Sequence, residues 1–179
     1  MKYFKFLLIV LCCIKSLPTN AQNVFNAKIA IVDVQSILEH SFAMQSIRKS
    51  IDTISQNIQN DISKKELQLK KIEEELIKKR EALSEAAFEK EVNEFNKKVS
   101  AAQKNIQDRK TRLEQAHAEA VSALHNVTIE IISNIAKKNN LNLVLPSSQV
   151  LFASNELNIT PEVIQQLNTK LKDIKVDYK

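Results

Sequence analysis

The sequence has 179 residues, with 26 Lys and Arg against 21 Asp and Glu, two Cys and no Gly. Without glycine, neither a Walker-type phosphate loop nor a dinucleotide-binding fingerprint can form. Tight hairpin turns also rely on glycine, which argues against a many-stranded sandwich or barrel built within one chain. The composition therefore predicts a largely helical protein.

The first 21 residues have the pattern of a secretory signal peptide. Two lysines precede an apolar run over residues 6–14, and a polar stretch then ends at Ala21, after which we expect cleavage. The apolar run is shorter than the roughly 20 residues that span a bilayer, and it contains both cysteines. The mature chain would keep 23 basic and 21 acidic residues. These nearly equal numbers of basic and acidic residues argue against nucleic acid as a partner.

Residues 43–138 are predicted to form an α-helical hairpin arm. The stretch has no Pro and is rich in Lys, Glu, Gln, Ala, Leu and Ile, which favour helix. From Phe88 to Val127, apolar residues recur at alternating steps of four and three, the pattern of a coiled-coil seam. One uninterrupted helix would be about 140 Å long. We therefore expect a reversal near residues 83–86, where Ser84 can cap a new helix.

The flanking segments 22–42 and 139–179 are predicted to form a β-rich body. Apolar runs typical of strands occur at Ile29–Val34 and Leu141–Leu145, and a third strand is predicted at Val150–Phe152. A body of about 60 residues buries little of its surface alone. Both faces of these strands are apolar or nearly so, and neighbouring subunits are therefore expected to cover the sheet. The sequence thus predicts a homo-oligomer assembled through the body.

Two helices are predicted within the body. A short one over residues 35–40 would join the first strand to the arm. The C-terminal one begins with Thr160 as its N-cap and Pro161 as its first residue, and apolar residues from Ile164 to Ile174 lie on one face. The predicted fold class is therefore α+β.

The sequence offers little that could carry catalysis. Glu114 and His117 have the i, i+3 spacing of di-iron bundles, but the second pair that such a site needs is missing. No serine lies in the glycine-framed turn that makes a nucleophile reactive. We therefore expect no catalytic residue, no metal, no cofactor and no enzymatic activity.

Two apolar residues of the arm, Leu67 and Ile77, fall outside its main apolar phase. If they stay exposed, the arm offers surface that can hold other apolar chains. Alternatively, each could dock against the partner helix or another subunit. The sequence leaves both interpretations open.

Five segments carry a resemblance to a known family. They are Lys28–Val34 leading into a helix, the long charged hairpin, Leu141–Leu145, Val150–Ser154 and Asn158–Ile164. In this order they resemble the Skp/OmpH family of periplasmic chaperones, over essentially the whole mature chain. The resemblance implies a homotrimer in which long antiparallel hairpin arms project from a small β body, itself an intersubunit barrel.

The resemblance also implies a function. Such a protein would be an ATP-independent holdase in the periplasm that binds unfolded outer-membrane β-barrel proteins between its arms. It would prevent their aggregation and deliver them for outer-membrane assembly. Anionic lipid or lipopolysaccharide is a further partner that the basic arms would suit. The alternative function is a coiled-coil spacer or tether of the cell envelope.

Three sets of residues carry the roles that the resemblance implies. The apolar arm residues expected to bind clients are Ile58, Ile62, Leu69, Phe88, Phe95 and Val99. The basic arm residues expected to bind clients or lipid are Lys70, Lys71, Lys78, Lys79, Arg80, Lys90, Lys97 and Lys98. The residues expected to form the oligomer are Ile29, Ile31, Val32, Val34, Leu143, Leu145 and Phe152.

Overall fold

The chain is described by a computed structural model over residues 27–179. The predicted signal peptide lies outside the described residues. In chain order the elements are β1 (Ile29–Val32), α1 (Val34–His40), α2 (Phe42–Lys79), α3 (Glu85–Lys138), β2 (Leu143–Pro146) and α4 (Thr160–Lys170). Two short 3-10 helices, Ser147–Gln149 and Asn155–Leu157, lie between β2 and α4.

The strands β1 and β2 form a parallel pair, in register from Ile29 beside Leu143 to Val32 beside Pro146. Parallel strands need a long crossover, and here the crossover is the whole helical arm. On the other edge of β1, the Ile31 carbonyl accepts a hydrogen bond from the Ile159 N–H at 3.0 Å. β1 is therefore the middle of the small sheet, with α4 held close beside it.

The strand predicted at Val150–Phe152 is not formed, and this prediction was wrong for the single chain. The Val150 N–H instead closes a 3-10 turn on the Ser147 carbonyl at 3.1 Å, and Leu151 and Phe152 project into solvent. An apolar run becomes a strand only where a neighbouring strand satisfies its backbone and a core covers its side chains. Within residues 27–179, neither a neighbouring strand nor the hydrophobic core contacts this segment.

Both observed strands differ from their predicted bounds because helix caps compete for their ends. β1 ends at Val32 because the Asp33 carboxylate caps α1, accepting from the Ser36 N–H at 2.9 Å. β2 begins at Leu143 because the Leu141 N–H closes the end of α3 on the Ala136 carbonyl at 2.8 Å.

The two long helices run antiparallel and are joined by residues 80–84. The sequence predicted the reversal near 83–86. The chain leaves α2 earlier because the N–H groups of Ala82 and Leu83 both bond to the Lys79 carbonyl at 3.1 Å. Ser84 occupies the N-cap position of α3, but its side chain makes no capping hydrogen bond.

The hydrophobic core lies at the base of the arm. It joins α1, the first turns of α2, the second half of α3 and α4, and its most enclosed side chains are Ile37, Ile47, Leu124, Ile135, Val163 and Leu167. From residue 59 to residue 115, by contrast, the arm contains half-buried seam side chains and no fully buried one. The base therefore supplies most of the apolar burial that stabilises the chain.

Thr160 was predicted to cap α4, but the structure uses its hydroxyl differently. The helix begins at Thr160 itself, and its Oγ1 accepts a hydrogen bond from the Asp33 N–H at 2.9 Å. Thr160 is buried and Asp33 is half-buried, so this partly buried bond ties the end of β1 to the start of α4. The helix ends at Lys170, and Ile174, predicted on its face, lies beyond it in an extended segment.

We expect the substitution Thr160→Val to lower the free energy of unfolding by about 1–3 kcal/mol, because it leaves the Asp33 N–H without a partner. Urea unfolding followed by circular dichroism measures this loss. Thr169→Val is the matched control, since the Thr169 hydroxyl is exposed and bonds within α4 to the Gln165 carbonyl. Its effect should stay below about 0.5 kcal/mol. Equal losses for both variants would contradict the assigned role of Thr160.

Candidate functional site

The apolar arm residues predicted to bind clients lie along the seam between α2 and α3. Ile58 is buried, and the other five, Ile62, Leu69, Phe88, Phe95 and Val99, are half-buried. The heptad-like spacing brings them to the facing helix, as expected for a coiled-coil seam. Each therefore keeps only part of its side chain available to another molecule.

Two apolar side chains of the arm project away from this seam. Leu67 is 61% exposed and Ile77 is 66% exposed. Both belong to α2, and their position outside the apolar phase accounts for their exposure. They are the large apolar groups that the arm presents to solvent most openly within residues 27–179.

The eight basic arm residues predicted to bind clients or lipid are all exposed. Within the described chain, only Lys97 among them forms an ion pair, with Glu94 at 3.0 Å. The hydrogen bond from Lys97, together with its charge, holds the pKa of Glu94 below its ordinary value. At the tip of the arm, the Arg80 guanidinium lies 6.0 Å from the centre of the Phe88 ring. Most of the positive charge of the arm is thus free to act on another molecule.

A groove of about 720 Å³ runs between the middle parts of α2 and α3. We call it the arm groove. Its apolar floor consists of the half-buried Ile62, Leu69, Ile72, Ala102 and Ile106, and the exposed Ala101 lies at its edge. Its polar rim consists of Asp61, Lys64, Lys65, Gln68, Lys98, Asn105 and Arg109. Ala102 is the small, half-buried side chain of α3 within the groove, and it fills less of the space between the helices than a larger side chain would.

An ion pair closes the end of the arm groove nearest the body. The Arg109 guanidinium lies 3.0 Å from the Asp61 carboxylate, and both side chains are partly buried. The Tyr178 hydroxyl and then the Asp61 carboxylate raise the pKa of Arg109. Sequence reasoning missed this site. Its one signal was Arg109 itself, a charged residue that interrupts the apolar seam of α3.

Apolar side chains of the body are also exposed. Of the residues predicted to form the oligomer, Ile29 is 36% exposed, Leu143 46% and Phe152 89%. Val34 and Leu145 are half-buried, while Ile31 and Val32 are already buried within the chain. Leu151, which the sequence prediction omitted, projects entirely into solvent beside Phe152. A signal for it was present, since it lies within the same apolar run.

The comparisons with known proteins identify the family. A model of the family described as outer membrane protein (OmpH-like) matches residues 28–167. The chain belongs to the OmpH-like family. This confirms the resemblance found in the sequence. No curated protein matches the chain at a significant level.

The OmpH-like chain also shares its fold with a solved structure. That crystal structure is of an OmpH-like protein from Caulobacter crescentus CB15, described as a candidate outer membrane chaperone. The TM-score is 0.80 at 18% sequence identity, over 86% of this chain and 90% of the other. At such low identity the likeness establishes the long-helix and small-sheet fold alone.

The family match ends at residue 167. Residues 171–179, which we call the C-terminal tail, therefore lie outside it, although they pack on the arm of the OmpH-like chain.

Within residues 27–179, no group of His, Cys, Asp or Glu side chains is placed to hold a metal ion. None of the helices in the same range combines the length and apolar character that a membrane crossing requires. The OmpH-like chain presents half-buried apolar seam residues, two openly exposed apolar side chains on the arm, and basic arm side chains most of which form no ion pair within residues 27–179.

Proposed function

We propose that the chain is an ATP-independent holdase chaperone of the periplasm. It would bind unfolded outer-membrane β-barrel proteins between its arms, prevent their aggregation and deliver them for outer-membrane assembly. Membership of the OmpH-like family supports the chaperone role. The observation that carries the proposal is the exposure of Leu67 and Ile77 on an arm whose basic residues are mostly unpaired.

Exposed apolar side chains on the arm favour weak and exchangeable contacts with a client. Each buried Å² of apolar surface contributes roughly 25 cal/mol, so one side chain such as Leu67 adds only a modest free energy. Many such contacts along several arms would hold an unfolded chain by avidity, while every single contact exchanges quickly. Release then needs no nucleotide.

The proposed assembly is a homotrimer in which strands of three bodies form one intersubunit barrel. An isolated pair of short strands is marginal in water, and β1 with β2 exposes Ile29 and Leu143 along the pair. Leu151 and Phe152 add apolar surface that a neighbouring subunit would cover. Covering them would also supply the strand partner that residues 150–152 lack in the single chain.

The basic tip of the arm supports the electrostatic part of the proposal, the attraction of acidic clients and anionic lipid. Lys78, Lys79, Arg80 and Lys90 lie at or beside the turn between the long helices and are exposed. At the end of the arm they would attract acidic clients over distances of about the Debye length, roughly 10 Å at 0.1 M salt. The same charges suit anionic lipid or lipopolysaccharide at the membrane where clients are delivered.

The test is aggregation of a urea-denatured outer-membrane barrel protein diluted into buffer with and without the mature protein. We expect suppression of light scattering by a species of three subunits per client. The double variant Leu67→Ser with Ile77→Ser should suppress aggregation several-fold less well, because it removes the exposed apolar groups without touching the seam.

The matched control is Gln103→Ser with Gln107→Ser, which changes two exposed neutral residues on α3. This control should suppress aggregation as well as the unmodified chain does. A well-folded oligomer that leaves aggregation unchanged would refute the holdase proposal. Because the long helices form a regular seam, that outcome would favour the alternative of a non-enzymatic spacer or tether of the cell envelope.

A further inference from the structure

The C-terminal tail is irregular, and its side chains alternate between the protein and solvent. Ile174 is buried and Val176 and Tyr178 are half-buried, whereas Lys175, Asp177 and Lys179 are exposed. A strand lying on a surface shows the same period of two in burial. The tail is not itself a strand, since the Tyr178 N–H bonds back to the Val176 carbonyl at 3.1 Å in a tight turn. Ile174 joins the hydrophobic core, and Val176 packs against it.

The tail follows the arm outward from the body. It starts near Ser46 on α2, whose hydroxyl donates to the Asp173 carboxylate. Residues 173–176 then lie along residues 49–54 of the same helix. At its end, the Lys179 carbonyl accepts a hydrogen bond from the Arg112 guanidinium on α3 at 3.3 Å. The arm thus holds the tail in place through contacts from both long helices.

The arm groove begins where the tail ends. The Arg109–Asp61 pair lines the groove, and Arg112, which bonds to the end of the tail, lies three residues from Arg109, about one turn along α3. Beyond this pair the groove continues along residues 61–72 of α2, a distance of about 17 Å at 1.5 Å per residue. An extended segment of five or six residues has about the same length. The groove therefore continues a surface on which the chain already holds a segment whose side chains alternate in burial.

We infer that the arm groove binds an extended polypeptide segment in which apolar and polar side chains alternate, with the C-terminal tail as its template within the chain. The inference rests on the proposed function. The proposed clients are outer-membrane barrel proteins, and their transmembrane strands have this alternation. Apolar side chains of such a segment would contact the floor at Leu69 and Ala102. Its polar side chains would face solvent, as Lys175 and Asp177 do in the tail.

The rim of the groove supplies what the backbone and charge of such a segment need. An extended segment has unpaired N–H and C=O groups, and the amides of Gln68 and Asn105 on opposite helices can bond to both. Lys64, Lys65 and Lys98 are exposed on the rim and have no ion pair within residues 27–179. They favour segments whose polar positions are acidic.

The test uses the mature protein, residues 22–179, and two dye-labelled nine-residue peptides of identical Val, Ile, Thr and Asp composition. One peptide alternates apolar and polar residues, and the other has its apolar residues clustered at one end. Fluorescence anisotropy should show about tenfold tighter binding of the alternating peptide. Ala101→Trp, at an exposed position lining the groove, should abolish that preference. Ala118→Trp, at an exposed position of α3 outside the groove, should leave it unchanged.

A second readout does not depend on filling the groove. The mature chain has no cysteine, so a Gln68→Cys variant has one thiol on the groove rim, and Gln103→Cys has one on an exposed site outside it. A bromoacetyl form of the alternating peptide should label the first several-fold faster than the second.

Failure to bind, equal affinity for the two peptides, or equal labelling of the two cysteines would overturn the assignment of the groove. The aggregation assay reports separately on the proposed function. If the chain suppresses aggregation but shows no preference for the alternating peptide, the groove inference fails while the holdase proposal stands. If it does not suppress aggregation, the holdase proposal itself fails.

Discussion

Replacing Lys78, Lys79, Arg80 and Lys90 with glutamate is expected to slow capture of a denatured outer-membrane protein by about tenfold or more at low ionic strength. These four side chains are exposed around the tip of the arm, so that under the proposed function an approaching client would meet them first. Salt screens such attraction, so the variant should also lose most of the dependence of the association rate on NaCl concentration. Stopped-flow fluorescence with a labelled client measures both quantities.

The control makes the same change of net charge elsewhere. Lys28, Lys49, Lys172 and Lys175 are exposed, lie on the body and at the base of the arm, and form no ion pair within the described chain. Their replacement with glutamate should change the association rate several-fold less than reversal at the tip. If both variants lose rate equally, net charge rather than the tip governs capture. If neither changes rate or salt dependence, the electrostatic half of the proposed function is wrong.

The second large effect is on stability. Leu124→Ala is expected to lower the free energy of unfolding by about 2–5 kcal/mol, because it leaves a cavity in the packed base of the arm. Leu124 has no exposed surface, and it lies in the core with Ile47, Ile135 and Leu167. Urea unfolding at a fixed protein concentration measures the loss, since self-association would add to the apparent stability.

Leu67→Ala is the matched control for the core substitution. The residue type and the helical setting are the same, but Leu67 is 61% exposed. Its replacement should change the free energy of unfolding by less than about 0.5 kcal/mol. The same variant should weaken client capture, so the two leucines separate stability from binding. A large loss of stability in Leu67→Ala would mean that this side chain is covered in the assembled protein.

Sequence periodicity was sufficient to predict the elements that are buried by an adjacent element of the same hairpin. The alternating steps of four and three from Phe88 onward predict a helix packed on a partner, and α3 has this form. The run at Val150–Phe152 has the same apolar character and yet makes no strand, because no neighbouring strand within residues 27–179 pairs with it. The sequence around Thr160 predicts an N-cap, but the Thr160 hydroxyl instead accepts a hydrogen bond from the Asp33 N–H at the end of β1.

The arm groove could not be predicted in the same way. Asp61 and Arg109 are 48 residues apart, and their meeting depends on the register of the two long helices, which the turn at 80–84 determines. A shift of the turn by one residue moves the register of the facing helices by about 3 Å. The gap beside Ala102 depends on the same register. The sequence predicts the seam, while its incomplete filling is a property of the folded hairpin.

The parallel pairing of β1 with β2 has a consequence for how the chain folds. The partners Ile29 and Leu143 are separated by the entire arm, and closing so long a loop from an unfolded chain is entropically costly and slow. The hairpin contacts between α2 and α3 nearest the turn are local, so they can form early and zip toward the body. Zipping brings the two strands together without a long search. We therefore expect the sheet to be the last part of the chain to acquire protection from hydrogen exchange during refolding.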